Sequence, residues 1–561
     1  MHYTTSIRYS FASLLLVGLS VSGYAQVQKG TVGKIDNSVI SVNKDIKKPT
    51  ISTPERKLEK IISPPNTVPR PPLRFLFSEL PNNGRITELT NQVQVPVNPV
   101  SPIQSSQYNN VVRGGLGNFG HTYLEGHAGI AVGSENYHGI YVKHNAYRLG
   151  PIGANYSGES DNQIKVHSRT QFNSVKLDGS LGWKRKGFYY YGYQPKVYSF
   201  DKETIFNSWN KFNFDGTVSN TSKTSPIDYV FRSKLSYLFT KTGANELLWD
   251  AGMSASFPLT DKLSANFDGQ MILAQSQDSL TTYRNLYKLV PHFKYKEELF
   301  SLTLGVMLAN SKEKTTENEN YVLPVIKADY QLMDGIKLYA GYEGDVIANN
   351  LTTILQENQW LGRFQTFKPT RKLSDIYAGV KANLSGGLSG ELKGSFATYK
   401  NFYVLNNSRS DSTKFEILYS NDTTKVHVTS LSGQINYEIP QLFRSSLLMD
   451  YYIYGNLGNL KEAWHRPAFK ATWSNQYLIR EKMLVTSDFY VLTGLKGLNG
   501  QTNQSVTLKP IFDFNLKFTF FISERFDVFL SANNILNKNY QRYLYYPVQG
   551  ANFLAGLSFS F

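Results

Sequence analysis

The chain has 561 residues, of which 41% are hydrophobic and 18% are charged, and its formal net charge is +16. This composition excludes a helical membrane protein and a typical disordered chain. The 37 Tyr and 34 Phe favour aromatic-rich strands, and the lack of Cys excludes lipid anchoring through Cys, zinc–thiolate sites and Cys nucleophiles.

The N-terminus is typical of an export signal. Arg8 supplies a basic start, and the apolar run at residues 11–19 is too short to span a bilayer as a helix. Small residues at the −3 and −1 positions predict cleavage before Gln26. No later stretch approaches the ~18 to 20 consecutive apolar residues that a transmembrane helix requires. We therefore interpret residues 1–25 as a signal peptide and expect the mature protein to leave the cytoplasm.

Residues 26–108 are predicted to form a basic, Pro-rich periplasmic segment that is extended and mostly disordered. Seven prolines between residues 49 and 72 break any long helix or central strand. Residues 26–75 hold ten basic and four acidic side chains, which gives a net charge of +6. Peptidoglycan, anionic headgroups or an acidic protein would suit residues 26–70 as a periplasmic partner. The alternative is a solvated leader that stays unfolded.

Apolar and polar side chains alternate along the rest of the chain. Residues 263–273, 300–308 and 512–520 each follow a period of two, so each presents one apolar and one polar face. Such runs reach about ten residues, longer than the strands of most soluble sheets. A tilted strand needs about that length to cross a bilayer. The pattern therefore favours membrane-spanning strands.

The connections between these strands are of two kinds. Tight turns are predicted at Met333–Gly335, Ser385–Gly387 and Ser523–Arg525. Long polar loops are predicted between Tyr193 and Pro226 and between Asp345 and Asp375. Alternating short turns and long loops are typical of outer-membrane barrels, in which the turns lie in the periplasm. A soluble two-sheet sandwich is the disfavoured alternative.

The fold class predicted for residues 109–561 is therefore all-β. We expect one closed antiparallel transmembrane β-barrel of about 16–20 strands in the cell outer membrane, preceded by the extended N-terminal periplasmic segment. Its expected surroundings are outer-membrane lipid and lipopolysaccharide. Gly556, Phe559 and Phe561 in the last strand match the terminal signal recognised by the barrel assembly machinery, whereas Leu554 stands where a polar residue is usual.

Charged side chains on the polar faces of the strands are candidate lumen-facing residues. A basic lumen would favour anions. Alternatively, a wide hydrated lumen needs polar residues of some kind, and neighbouring pairs simply hold strands together. The candidates are Arg232, Lys234, Lys337, Lys381, Glu391, Lys393, Asp513 and Lys517.

Aromatic and histidine clusters carry weaker signals. The aromatic runs at residues 188–193, 451–454 and 543–546 are predicted to form the outer girdle of the barrel, with a ligand platform as the alternative for the first. Four histidines between residues 121 and 144 lack the spacing of a metal site. We predict no metal, no other cofactor, no catalytic residue and no nucleic-acid partner.

Residues 531–561, SANNILNKNYQRYLYYPVQGANFLAGLSFSF, resemble the last two strands of TonB-dependent receptors. Ala551 stands where that family usually has Arg. Residues 108–129 and 42–52 resemble the first barrel hairpin and the N-terminal extension of a plug-less subgroup found in Bacteroidota. The C-terminal match rests on Asn534, Leu536, Asn537, Tyr540, Pro547, Gly550 and Phe561.

The resemblance implies a non-enzymatic barrel that acts on a solute at the cell surface. True receptors of this family carry a globular plug, but here only the 83 residues 26–108, which are rich in proline, precede the predicted barrel. We therefore expect no compact plug. Two functions remain: passage or recognition of a solute, and a scaffold subunit of a multi-protein envelope complex that uses the barrel and the basic tail.

Overall fold

The structure is a computed structural model of the chain, and it describes residues 110–132, 136–152, 156–192, 201–222, 225–314, 318–500 and 502–561. The predicted signal peptide and the predicted periplasmic segment at residues 26–108 lie outside the described residues. The described part is almost entirely β-structure, which confirms the predicted fold class.

The alternating runs form long strands, numbered here in chain order. The first fifteen are β1 (Val111–Gly117), β2 (His121–Val132), β3 (Asn136–Tyr147), β4 (Glu159–Phe172), β5 (Val175–Tyr189), β6 (Phe206–Asn220), β7 (Asp228–Thr240), β8 (Asn245–Pro258), β9 (Leu263–Asp278), β10 (Leu280–Lys296), β11 (Phe300–Glu313), β12 (Glu319–Met333), β13 (Ile336–Ile347), β14 (Thr370–Asn383) and β15 (Leu388–Lys400). The remaining strands are β16 (Tyr403–Asn407), β17 (Phe415–Tyr419), β18 (Val426–Ile439), β19 (Phe443–Gly455), β20 (Phe469–Ile479), β21 (Met483–Thr493), β22 (Lys496–Asn499), β23 (Gln504–Thr507), β24 (Ile511–Phe521), β25 (Phe526–Asn533), β26 (Gln541–Tyr543), β27 (Tyr546–Pro547) and β28 (Asn552–Ser560).

Short helical segments interrupt the connections. The α-helices of the described part are α1 (Lys202–Ile205) and α2 (Leu351–Glu357), and single 3-10 turns lie at Asn118–Gly120, Ser385–Gly387 and Gly458–Leu460. Neither α-helix has the length and apolar character that would let it cross a membrane.

Twenty-two strands form one antiparallel barrel. Each strand pairs with its neighbour along the chain, and β28 returns to pair with β1, where Val111 lies opposite Ser560 and Gly117 opposite Leu554. The other six strands form the three hairpins β16–β17, β22–β23 and β26–β27 within the connections. Because the first and last strands are hydrogen-bonded to each other, the sheet has no free edge.

The wall of the barrel has one apolar and one polar face. On β11, Phe300, Leu304 and Leu308 are exposed on the same face, and contiguous apolar patches of this kind are rare on soluble proteins. Large apolar side chains repeat in this way around the barrel. In a membrane barrel the apolar face contacts lipid and the polar face encloses the lumen.

One end of the barrel, here called the turn end, has short connections. Asp334 and Gly335 alone join β12 to β13, and Gly335 has a φ of 78°, a conformation that glycine adopts without strain. The predicted turns at Ser385–Gly387 and Ser523–Arg525 also lie at this end. The start of β1 and the end of β28 also lie at this end. They are adjacent, since Asn110 and Phe561 exchange backbone hydrogen bonds of 3.3 and 3.1 Å.

The barrel has more strands than the 16–20 that the sequence predicts. The segment Tyr193–Pro226, interpreted above as one long loop, contains the 15-residue strand β6. This strand is polar and rich in Asn, so its apolar side chains do not stand out from the loop residues around them. Boundaries between residues 172 and 262 are hard to place for the same reason, and four strands, β5–β8, lie there.

The opposite end of the barrel, here called the loop end, carries long connections. Four of them form a layer that we call the lid: residues 348–369 with α2, residues 401–425 with β16–β17, residues 456–468, and residues 534–551 with β26–β27. The predicted loop between Asp345 and Asp375 is confirmed and supplies the first of these. Since turns lie in the periplasm in outer-membrane barrels, the lid faces the cell exterior.

Candidate functional site

The lid packs against the wall of the barrel through a shared apolar core. The wall contributes Leu238 from the polar face of β7, which is fully buried, and helix α2 contributes Ile354. Trp360 stacks on Tyr546, with 3.9 Å between ring centroids. This loop-end core consists of Phe188, Tyr190, Tyr191, Ile205, Trp209, Leu238, Ala244, Leu351, Ile354, Leu355, Leu361, Phe367, Tyr403, Leu405, Phe415, Tyr543 and Tyr546.

The loop-end core corrects one prediction. The aromatic runs at residues 188–193 and 543–546 were expected to form the lipid-facing girdle, but Phe188, Tyr191 and Tyr546 are buried in the core. At these points the chain leaves its strand and turns over the barrel mouth, which removes the rings from the lipid face. In the third run, Tyr451 and Ile453 are exposed on the apolar face of β19, as expected for a girdle.

Glu246 of β8 anchors helix α2 to the barrel wall. Its carboxylate accepts hydrogen bonds from the backbone N–H groups of Leu351 (2.9 Å) and Thr352 (2.8 Å). It also accepts a charge-assisted bond of 2.9 Å from the Arg284 guanidinium on β10. The Glu246 side chain is completely buried, so these three donors replace the water that an ionised carboxylate requires.

A second buried ion pair joins two of the four loop segments that form the lid. Glu357, at the end of α2, pairs with Arg466 at 3.1 Å, and each side chain is 6% exposed. The Tyr403 hydroxyl donates a 2.6 Å bond to the same carboxylate. The Tyr543 hydroxyl donates to the Glu357 backbone carbonyl at 3.0 Å. Four parts of the lid therefore meet at Glu357.

His465 completes the polar contacts of the lid. Its Nδ1 lies 2.8 Å from the Leu405 carbonyl oxygen, and its Nε2 accepts a bond of 3.0 Å from the Leu544 backbone N–H. These partners require the neutral ring with its proton on Nδ1. Burial, helped by the positive charges of Arg542 and Arg466, lowers the pKa of His465 to about 3.

A cavity of about 400 Å³ lies between the lid and the wall strands β5 and β6. We call it the loop-end chamber. Aromatic rings of Tyr191, Trp209 and Trp360 form part of its surface. The ionisable side chains that line it are Glu159, Lys184, Lys186, Lys211, Glu357 and Arg542.

Four of the predicted lumen-facing residues come together on the polar face of β13–β15. Lys337 and Lys381 lie opposite each other in the strand register, and Lys381 lies opposite Glu391. The Lys381–Glu391 ion pair measures 3.7 Å. The Lys393 ammonium lies 4.1 Å from the centroid of the Tyr377 ring. Within this group, the charges of Lys381 and Glu391 compensate each other.

Arg232 and Lys234 lie on the polar face of β7, apart from that group. Lys234 stands in register with Asp215 of β6 and Asp250 of β8, so acidic residues flank it on both sides. Arg232 lies opposite Gly252.

Asp513 and Lys517 lie further around the barrel, on β24. The Tyr540 hydroxyl donates a hydrogen bond to Asp513, which connects this strand to the last connection of the lid. The Lys517 ammonium lies 5.0 Å from the centroid of the Phe529 ring. The predicted residues therefore occupy three separate regions of the wall.

The four histidines at the start of the barrel have separate partners. His121 bonds to Asn145 (2.7 Å) and His138 to Ser168 (2.8 Å). His127 stacks on His167, with 5.5 Å between ring centroids. In the part of the chain that the structure describes, no group of three or more His, Asp or Glu side chains is placed to hold a metal ion.

Comparison with known proteins identifies the fold. No family model and no curated protein matches the chain. Among solved structures, the FrpB iron transporter of Neisseria meningitidis (F3-3 variant) matches with a TM-score of 0.64 at 10% identity over 82% of both chains. The ferric-catecholate import receptor Fiu of E. coli K12 matches with 0.60, at 10% identity over 82% of both chains. The ferric enterobactin receptor PfeA of Pseudomonas aeruginosa matches with 0.58, at 12% identity over 81% of both chains.

The chain has the barrel fold of TonB-dependent receptors. This confirms the fold that the C-terminal resemblance implies, and the closed barrel with its exposed apolar face confirms the predicted location in the outer membrane. Identities of 9 to 12% concern the fold alone.

The predicted assembly signal lies at the seam of the barrel, where β28 meets β1. Phe559 and Phe561 stack on the apolar face with 5.7 Å between centroids, and Phe526 packs on Phe559 at 4.7 Å. Gly556 lies under the Phe529 ring, and any Cβ there would collide with that ring and with the Gly114 carbonyl oxygen. Glycine is therefore required where β28 meets β1.

The polar residues that hold the lid on the barrel could not be predicted from the sequence. Glu246 and Arg284 are single charges on alternating strands, and their partners lie in other parts of the chain. Glu357 and Arg466 are likewise far apart in sequence. The alternation of apolar and polar residues shows which face of the sheet a side chain lies on. It does not show which distant residue that side chain pairs with.

Proposed function

We propose that this protein is a TonB-dependent-receptor-like barrel that recognises a solute at the cell surface and admits it to the lumen. The observation that carries the proposal is the loop-end chamber, which lies between the lid and the polar face of the wall. A solute entering from outside would meet this chamber first. Clefts or cavities that combine aromatic walls with a few convergent polar groups are the usual form of small-molecule sites.

The lid acts as the gate in this proposal. Its apolar core closes the loop end, and its contacts with the wall include one buried carboxylate, Glu246. Passage requires α2 to leave the wall, because α2 and the residues after it form one side of the chamber. Lid and loop movements of this kind control access in many proteins.

We further propose that the chain supplies no compact plug and belongs to the plug-less subgroup that its termini resemble. The segment at residues 26–108 is short and is interrupted by prolines, so it is poorly suited to form a folded domain. The barrel would then not perform TonB-energised transport on its own. Solutes would move past the charged residues on the polar face, among them Arg232, Lys234, Lys337 and Lys393.

Conductance in planar bilayers tests the gate. The full-length protein should show little steady conductance, and Glu246→Gln should raise the open probability at least several-fold, because α2 loses a charged acceptor. Glu203→Gln is the matched control, since Glu203 lies at the same end of the barrel but is largely exposed. A large steady conductance of the unaltered protein, or equal behaviour of both variants, would reject the proposal.

A scaffold role is the second candidate. The net charge of +6 in residues 26–75 favours it, because a basic tail suits an anionic periplasmic partner. Affinity purification in mild detergent, with and without residues 26–70, tests this role. Partners lost with that segment would support the scaffold, and their absence from both samples would reject it. In either role we propose no catalysis and no nucleic-acid partner, with lipopolysaccharide and the barrel assembly machinery as the envelope contacts.

A further inference from the structure

Hydrogen-bond donors on the lining of the loop-end chamber lack a partner in the described part of the chain, and two of them, Arg542 Nε and Trp209 Nε1, are buried. The Lys186 side chain, 9% exposed, makes no hydrogen bond or ion pair there. Arg542, 6% exposed, donates one Nη1 bond of 2.7 Å to the His465 carbonyl, but its Nε has no partner. Trp209 Nε1 is also buried and unpartnered. Unsatisfied buried donors are costly and rare, so their grouping indicates a missing acceptor.

The charge of the chamber indicates that the acceptor is an anion. Four basic and two acidic side chains line the cavity, which leaves an excess of two positive charges. Glu357 is already paired with Arg466, and Lys184 pairs with Asp161 at 3.3 Å. Lys186 and Lys211 remain as ammonium groups without a carboxylate partner among the described residues.

Glu159 is the opposing charge on the chamber lining. It forms no ion pair or hydrogen bond within the described residues, so its carboxylate lowers the positive potential that Lys186 and Lys211 create. Removing this charge should therefore strengthen the binding of an anion.

The rest of the lining is suited to an apolar or aromatic body. Tyr191, Trp360, Tyr543 and Tyr546 line the chamber and contact one another through their rings. A volume of about 400 Å³ is at the small end of the range for small-molecule sites. Aromatic walls opposite cationic groups favour a ligand with a planar portion and a charged end.

We propose that the loop-end chamber binds a compact organic anion, with its oxyanion held by Lys186, Lys211 and Arg542 and its apolar part against Trp360 and Tyr546. The inference rests on the proposed function, because it names the class of solute that the barrel recognises. Carboxylates and phosphate esters share the required chemistry.

Binding of simple probes to the purified full-length protein tests the inference. Saturation-transfer NMR titrations would use benzoate, its neutral isostere benzamide, and benzylammonium. Benzoate should bind at least ten-fold more tightly than the other two. Lys186→Met should weaken benzoate at least ten-fold, and Glu159→Gln should strengthen it several-fold. Phenyl phosphate in place of benzoate distinguishes a phosphate ester from a carboxylate as the preferred class.

Lys294→Met is the control variant, because Lys294 lies on the polar face of β10 and does not line the chamber. It should bind benzoate as the unaltered protein does, and retention of heat-modifiable migration would show that each variant is folded. Equal affinity for benzoate and benzamide, equal loss in Lys186→Met and Lys294→Met, or loss of binding in Glu159→Gln would overturn the inference. Benzoate binding without any conductance in the Glu246→Gln barrel would reject the gate and leave the chamber assignment standing.

Discussion

The carboxylate of Glu246 accepts a 2.9 Å hydrogen bond from the backbone N–H of Leu351, a residue 105 positions further along the chain. This bond joins the wall of the barrel to the first turn of α2. Arg284 neutralises the same carboxylate. The contact therefore joins Glu246 of the wall, its charge partner Arg284 and the first turn of α2 in the lid. We expect the closure of the loop end to depend strongly on this buried side chain.

Replacement of that side chain should release the lid. Glu246→Gln removes the charge that Arg284 and two backbone N–H groups share, and breaking a buried pair of this kind costs about 3–5 kcal/mol. We expect residues 348–369 to become sensitive to protease on whole cells while the barrel keeps its heat-modifiable migration. Unchanged protease resistance would show that the apolar core holds the lid without this anchor, and Glu203→Gln should match the unaltered protein.

The lid should loosen as the pH falls. The pKa of His465 is about 3 in the folded lid, against about 6.5 when the lid opens. Because the pKa of His465 is lower in the closed lid than in the open one, the neutral ring stabilises the closed lid above pH 6.5. This stabilisation is lost as the pH falls towards 3. At pH 5 the free energy of lid opening should fall by about 2 kcal/mol.

Protease sensitivity of the lid measured between pH 7.5 and pH 4.5 checks this expectation. The rate of cleavage in the lid should rise as the pH falls through 6, after correction for the protease's own pH profile. His138→Gln, on β3 away from the lid, should leave the profile unchanged. A profile that is flat in the unaltered protein would contradict the assignment of His465 as a neutral buried ring.

The C-terminal strand should be needed for insertion. Deletion of residues 559–561 removes two stacked rings from the apolar face and leaves the start of β1 without its partner on β28. We expect strongly reduced levels of heat-modifiable protein in outer-membrane fractions. Phe561→Tyr keeps an aromatic terminus and should insert normally, whereas normal insertion of the deletion variant would contradict the role of this signal.

Residues 26–70 should be dispensable for the barrel. The predicted barrel starts at residue 109, and every barrel strand pairs with a neighbour between Val111 and Ser560. A protein without residues 26–70, which keeps its signal peptide, should therefore show the same thermal transition within about 2 °C, and lose only periplasmic partners. A barrel that fails to fold without this segment would show that the segment is part of the barrel structure.

The sequence predicts the wall of the barrel better than its lid. Alternation, tight turns such as Asp334–Gly335 and the terminal Phe561 are local signals, and the structure confirms the fold that they predict. The polar strand β6 was not predicted from the sequence because its apolar face is short. The anchors Glu246 and Glu357 were not predicted from the sequence, because they meet their partners only when distant loops come together over the barrel mouth.

In the proposed gate, the lid separates the loop-end chamber from the outside, and Glu246 controls this closure. The chain has no cysteine, so a single Lys211→Cys substitution places one thiol in the chamber. Its rate of reaction with a membrane-impermeant maleimide on whole cells measures access directly. We expect slow labelling in the otherwise unaltered protein and labelling at least ten-fold faster when Glu246→Gln is added. Rapid labelling at the same rate in both proteins would contradict the proposed gate.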